Sequence, residues 1–192
     1  MNIIVQKYGG SSVANSELIN HVATKIKRVS GKKIIVVSAM GNSTDNLIDL
    51  AGTLSQNPNK REMDLLLSTG ELVSSALLSI ALNEINVTSI SLTGYQAGIE
   101  TNDIYGQAKI KNINIKRIET ELKTHDVVIV AGFQGITENE DITTLGRGGS
   151  DTTAVGLAIV LKAKRCEIYT DVTGIYSADP NIVKNAKKIE EI

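Results

Sequence analysis

Two uninterrupted aliphatic runs, residues 34–37 (IIVV) and 127–131 (VVIVA), constrain the fold of this chain more than any other feature. A strand with one face in water alternates apolar and polar residues. A run without that alternation has to be buried on both faces, as the strands of a parallel sheet are. Parallel neighbours cannot be joined by a tight hairpin and need crossovers of a dozen or more residues. The chain supplies them. Residues 3–6, 87–92 and 167–170 are further strand candidates. Leu18, Ile19, Val22, Ala23, Ile26 and Val29 recur at helical spacing, with Ser16 placed as the N-cap and Gly31 just past the end. Residues 46–54, 61–85, 118–122 and 151–161 read as further helices, and 99–115 as a less regular stretch with a hairpin. Within 61–85, Ser68, Thr69, Gly70 and Glu71 break an otherwise leucine-rich pattern. Strands alternating with helices of this length predict an α/β protein, its parallel sheet covered by helices on both faces.

At 192 residues the chain can bury about 70% of its unfolded surface, enough for one core and too little for two comfortable domains. Twenty Lys and Arg against 21 Asp and Glu leave a net charge of -1, with no basic excess to hold nucleic acid. The apolar runs fall short of the roughly 20 residues that span a bilayer. The N-terminal stretch reads as a strand without the parts of a signal peptide, so no membrane partner and a cytoplasmic location are expected. The single cysteine, Cys166, excludes an internal disulfide framework and reads as strand packing in the core. His21 and His125 fall outside every motif and are not paired as ligands, so no metal site is expected on the protein itself.

Four glycine-rich segments follow strands: 7–12 (KYGGSS), 38–41 (SAMG), 132–135 (GFQG) and 146–151 (GRGGSD). Each reads as a loop. In a parallel α/β sheet ligands bind beyond the carboxyl ends of the strands, where these loops fall. Backbone amides in such loops bind anions, and two of the four carry a cation, Lys7 and Arg147. The combination points to phosphate. Neither GxxxxGK[ST] nor GxGxxG is present, so the site is not that of a P-loop or dinucleotide-binding protein.

Six segments in order, KYGGSSV at the start, VVSAMG with Thr44 and Asp45, STGE at 68–71, VAGFQG at 130–135, TTLGRGGSDTTAV at 143–155 and YTDVTGIYSADP at 169–180, resemble the aspartate kinases of the amino-acid kinase family. The resemblance runs from end to end of the chain. It implies a three-layer α/β/α sandwich around a mostly parallel sheet, and one catalytic domain over 1–192. It also implies that the chain stops short of the family's full domain and of its ACT regulatory domains. The reaction implied is transfer of the γ-phosphoryl of ATP, with Mg²⁺ carried by the nucleotide, to the β-carboxylate of L-aspartate. In the family this opens lysine, threonine and methionine synthesis, and diaminopimelate synthesis in bacteria. A related kinase acting on another carboxylate, and a non-catalytic aspartate- or nucleotide-binding fragment, are the alternative readings.

The same resemblance assigns roles. Lys7 and Asp151 are the catalytic pair: Lys7 stabilises the moving phosphoryl charge and Asp151 orients Lys7. A carboxylate acceptor is already ionised at neutral pH and needs no base. Gly9, Gly10, Ser11 and Ser12, with Lys7, face the phosphates, and Thr170, Asp171, Tyr176 and Asp179 hold the rest of the nucleotide. Ser38, Thr44, Glu71, Arg147 and Ser150 bind aspartate, with Arg147 clamping a carboxylate and Glu71 pairing with the ammonium. Segment 101–110 departs from the family pattern, with Asp103 and Lys109 loose matches at the outer wall of the aspartate pocket. A homodimer through kinase-domain helices is also implied.

Overall fold

A computed structural model describes residues 2–170, 177, 183 and 185–187. In chain order the elements are β1 (Ile3–Tyr8), α1 (Ser16–Lys27), β2 (Lys32–Val37), α2 (Ser43–Leu54), α3 (Lys60–Glu84), β3 (Ser89–Leu92), β4 (Ile99–Thr101) and β5 (Ile110–Ile113). They continue with α4 (Lys116–Glu121), β6 (Val127–Ala131), β7 (Gln134–Ile136), β8 (Ile142–Thr144), α5 (Gly149–Val160) and β9 (Arg165–Tyr169). A short 3₁₀ turn, Gly10–Val13, follows β1.

Five strands form a wholly parallel sheet in the order β3-β6-β2-β1-β9. Its centre holds the two aliphatic runs, as the absence of alternation requires. On β2, Ile34 and Val36 pack on one side with Ala154 and Leu157 of α5 and Ile118 of α4. Ile35 and Val37 pack on the other, with Ile19, Val22 and Ile26 of α1 and Leu78 and Leu82 of α3. The result is a three-layer α/β/α sandwich, as expected. The register levels the carboxyl ends of the strands: Tyr8 lies opposite Val37 and Tyr169, and Val37 opposite Ala131. Segments 9–12, 38–41, 132 onward and 170 therefore leave the sheet along one edge.

A second sheet, ordered β5-β4-β7-β8, sits beside the first. The β4–β5 pair is the hairpin expected within 99–115. The β7–β8 pair corrects the reading of GFQG as loop, since Gln134 and Gly135 are strand residues. Gly135 is there because β4 comes close: a Cβ on it would lie 2.6 Å from Thr101 Cγ2 and 2.9 Å from the Ile99 carbonyl oxygen.

Two further expectations are corrected. The cap of α1 is Asn15, whose side chain accepts the Leu18 amide at 2.9 Å, and Ser16 is already helical. The polar segment 68–71 lies within α3, which runs through it for 25 residues, as the reading of 61–85 as one helix expects. Cys166 is exposed, since it lies on β9 at the edge of the described sheet. Partial desolvation, then the charges of Asp151 and Glu167, still push its thiol pKa up, which disfavours the reactive thiolate. By length and composition α3 is apolar enough to cross a bilayer. Its inner face nevertheless packs on the sheet and buries Asp64 and Glu71, which makes it a core helix.

Candidate active site

The four glycine segments meet around one cavity of about 300 Å³ beyond the carboxyl edge of the main sheet. β1 delivers Lys7 and the turn after it delivers Gly10; β2 is followed by Ser38, Ala39 and Gly41. Phe133 comes from the segment after β6, and residues 146–151, which lead into α5, also line the cavity. Thr44, in the first turn of α2, and Glu71, in the middle of α3, complete the lining.

Alternation along β1 decides where Lys7 goes. Ile3 and Val5 face the α4–α5 layer, and Lys7 continues that face to the point where α5 begins. Its ammonium lies 2.7 Å from Asp151 Oδ1. Lys7 is 8% exposed, whereas the Asp151 side chain keeps 46% of its surface open. Helix α5 starts at Gly149 and its N-cap is Gly148, in the left-handed region at φ 75°. Asp151 therefore sits in the first turn and is not the cap. The side chain is left to the ion pair, and its negative charge suits a helix N-terminus. Ser150 is buried beside it.

Glu71 is the opposite case, 3% exposed inside α3. One oxygen, Oε1, accepts the Ala39 amide at 3.1 Å, while Oε2 has no hydrogen-bond partner among the described residues. Desolvation raises its pKa from the ordinary 4.5 to about 7, against the lowering effect of the Ala39 hydrogen bond. An exposed role for Glu71 is thereby excluded. Gly70 and Gly10 make this arrangement possible from either side of Ala39. A Cβ on Gly70 would stand 2.8 Å from the Ala39 methyl, and one on Gly10 would stand 2.7 Å from the Ala39 carbonyl oxygen. The Ser74 hydroxyl fixes the same segment by donating to the Ser38 carbonyl at 2.8 Å.

Arg147 is exposed at the cavity wall and forms no ion pair among the described residues. Gly9, Ser11 and Ser12 adjoin the cavity without lining it. The Gly9 amide donates to the Tyr169 carbonyl at 3.1 Å and the Ser12 amide to the Gly9 carbonyl at 2.9 Å. Those two amides hold the turn and the end of β9 together, which modifies their expected role as phosphate donors and brings Thr170 alongside the turn. Beneath it Tyr8 and Tyr169 stack at 4.8 Å, with the Lys25 ammonium 3.5 Å from the Tyr169 ring centre. Asp171, Tyr176 and Asp179 lie outside the described residues. Asp103 and Lys109 do not line the cavity.

Within the glycine segments, Ala39 and Phe133 line the cavity without having been given a role of their own from the sequence. Ala39 acts through its backbone amide, which no residue type announces. Phe133, the only phenylalanine of the chain, takes a positive φ of 68°. An aromatic residue between two glycines was the available signal. Among the described residues no group of three or more His, Cys, Asp or Glu gathers as metal ligands.

Comparison with known proteins identifies relatives of the chain and of its fold. The sequence profile of the amino acid kinase family matches residues 2–192. The chain is 56% identical to an aspartokinase of Geobacillus stearothermophilus over 195 aligned residues, covering 100% of this chain and 48% of that protein. It thus spans about half the length of the curated relatives it matches. The crystal structure of an aspartate kinase from Synechocystis superposes with a TM-score of 0.80 at 54% identity, over 96% of this chain and 31% of that one. That of E. coli aspartokinase III in complex with aspartate and ADP gives 0.83 at 28% identity, over 98% of this chain and 53% of that one. Fold, ordered motifs and sequence profile converge, and the chain belongs to the amino acid kinase family.

Proposed function

We propose that this chain binds L-aspartate and ATP in the cavity and moves the γ-phosphoryl group onto the β-carboxylate, releasing ADP and 4-phospho-L-aspartate. The observation that carries the reading is the set of charges gathered at one cavity. The Lys7–Asp151 pair, exposed Arg147 and buried Glu71, one oxygen of which has no partner among the described residues, all line it. The complex of E. coli aspartokinase III with aspartate and ADP supports the choice of ligands.

The substrate brings two carboxylates and an ammonium. The reacting carboxylate has to remain free for phosphorus, which leaves the Arg147 clamp to the other one; the ammonium is the cation that Glu71 lacks. Lys7, aimed by Asp151, neutralises charge on the phosphoryl group as the bond from the β-carboxylate oxygen forms and the bond to the ADP oxygen breaks. Both reactants are held in line by groups on the strand ends and helix starts of one sheet edge, so little reorganisation accompanies the step. Gly10, Ser11 and Ser12 form the phosphate side; Thr170, Asp171, Tyr176 and Asp179 are assigned to the rest of the nucleotide, and Ser38, Thr44 and Ser150 to the aspartate side. Asp151, half open to solvent, fits contact with a hydrated cation brought in on the phosphates. Mg²⁺ bound to ATP would neutralise the phosphate oxygens and ease departure of ADP.

This reading treats the chain as one catalytic unit, opening the route from aspartate to lysine, threonine and methionine. Exposed Val73, Leu77 and Ile80 on the outer face of α3 support a homodimer through the kinase helices, which light scattering tests. The activity is tested by trapping acyl phosphate with hydroxylamine in the presence of Mg-ATP and L-aspartate, L-glutamate or N-acetyl-L-glutamate. A signal with aspartate alone is expected. A signal with the acetylated acid would overturn the role of Glu71, because that substrate has no ammonium to offer.

A further inference from the structure

A second buried carboxylate lies on α3, two turns before Glu71 and outside the cavity. Asp64 is 1% exposed. Its Oδ2 accepts two backbone amides, Gly106 at 2.9 Å and Thr144 at 2.8 Å, and its Oδ1 accepts the Thr144 hydroxyl at 2.8 Å. A buried carboxylate without a cationic partner is tolerated only when donors surround it, and three do so here.

The two segments that Asp64 joins both lead to Arg147. Thr144 ends β8, three residues before the arginine, and its carbonyl accepts the Ala108 amide at 2.9 Å. Gly106 belongs to the β4–β5 connection, and its carbonyl oxygen backs the Arg147 loop so closely that a Cβ on Gly146 would stand 3.1 Å from it. One turn earlier, Arg61 binds Asp141 at 2.6 Å, and Asp141 accepts the Tyr105 hydroxyl at 3.0 Å. The first turns of α3 thus grip the β4–β5 connection and the β7–β8 hairpin together.

We propose that Asp64 is a positioning residue: it fixes the loop bearing Arg147 relative to α3 and thereby sets the distance between Arg147 and Glu71. Seven residues separate Asp64 from Glu71, so both lie on the same buried face of one continuous helix. The anchor of the carboxylate clamp and the acceptor for the ammonium are then parts of a single rigid body. The inference rests on the reading of the cavity as an aspartate site, and predicts that losing the anchor weakens the grip on aspartate more than on nucleotide.

The test compares Asp64→Ala, Asp64→Asn and Thr144→Val with the wild-type chain by amide hydrogen exchange and by calorimetric titration with L-aspartate and, separately, ADP. In Asp64→Ala, exchange at residues 106 and 144–149 should accelerate at least ~10-fold while β1 and β2 stay protected. Aspartate affinity should fall between ~10- and ~100-fold, the range that a displacement near 1 Å can cost, with ADP affinity within about threefold. Asp64→Asn should restore both, because its carbonyl can accept the two amides and its NH₂ can donate to the Thr144 hydroxyl. Thr144→Val removes only the hydroxyl donor and should fall between; it also decides the matter should Asp64→Ala not fold. Parallel loss of aspartate and ADP, unchanged exchange at 144–149, or failure of Asp64→Asn to rescue would overturn the proposal. A wild-type chain that does not bind aspartate would overturn the substrate assignment instead, leaving the exchange data to decide whether Asp64 holds the loop.

Discussion

Replacing Glu71 by glutamine should make the protein more stable and useless to its substrate at the same pH. The carboxyl is 3% exposed with one oxygen unpartnered among the described residues, and burial holds its pKa at about 7 against 4.5 when exposed. A folded-state pKa above the unfolded one means that the folded protein binds more protons between those values. Stability is therefore greatest below pH 4.5, falls as pH rises through the window, and has lost the whole contribution above pH 7. At 1.36 kcal/mol per pKa unit the loss is about 3 kcal/mol, of which about 2 to 3 kcal/mol falls between pH 5 and pH 8. The glutamine side chain of the Glu71→Gln variant would keep the Ala39 hydrogen bond through its carbonyl and resemble the neutral acid, so its stability should lack this decline. Lys7, Arg147 and Asp151 share the cavity and are common to both proteins, so the difference between the two curves isolates Glu71.

The assay is urea denaturation of Glu71→Gln and wild type at pH 5, 6, 7 and 8. The stability difference should open progressively in favour of the variant, by about 2 to 3 kcal/mol between pH 5 and pH 8. Aspartate affinity of the variant should fall at least ~10-fold at pH 8, since a charge-assisted hydrogen bond to the ammonium is lost. Wild-type affinity should itself weaken below pH 7, because a proton on Glu71 excludes the ammonium. Parallel stability curves from pH 5 to pH 8, or aspartate binding independent of pH between 5.5 and 7.5, would refute the reasoning.

Lys7→Ala should abolish hydroxylamine-trapped product while leaving calorimetric aspartate affinity within about threefold, because Lys7 faces the phosphoryl group; collapse of aspartate binding would show that role to be wrong. Arg147→Lys keeps the charge but not the planar fork, so aspartate affinity should fall ~10-fold with ADP affinity unchanged; equal binding by the two proteins would remove the bidentate clamp. Gly70→Ala pushes a methyl to 2.8 Å from that of Ala39 and should cost about 1–3 kcal/mol in denaturation. Ala39→Gly in the same chain should recover part of it, and no recovery would mean that the contact is not the cause.

What was legible in the sequence was whatever repeats with the period of a regular element. The runs 34–37 and 127–131 announced a sheet buried on both sides because nothing polar interrupts them, and α1 announced itself by helical spacing. Of the second sheet only the hairpin within 99–115 was legible, because β4, β7 and β8 have three residues each, too few to establish a period of two. Gly135, needed for close passage of β4, also made a strand look like a loop. Helix α3 shows the third case, a regular pattern whose meaning depends on what it faces. Its buried stripe runs Asp64, Ser68, Glu71, Ser75, Leu78, Leu82, at steps of four and three throughout. The spacing is that of a core helix from beginning to end, while the chemistry changes from polar to apolar halfway. Judged by hydrophobicity, the first half reads as a break; judged by position, it is the same face. The change marks where the helix leaves the sheet, on which Leu78 and Leu82 pack, and passes behind the cavity and the Arg147 loop, where Glu71 and Asp64 meet backbone amides instead. Polar residues that keep the period of a buried stripe are thus a sequence signal in their own right, and here they pick out the two carboxylates around which the site is built.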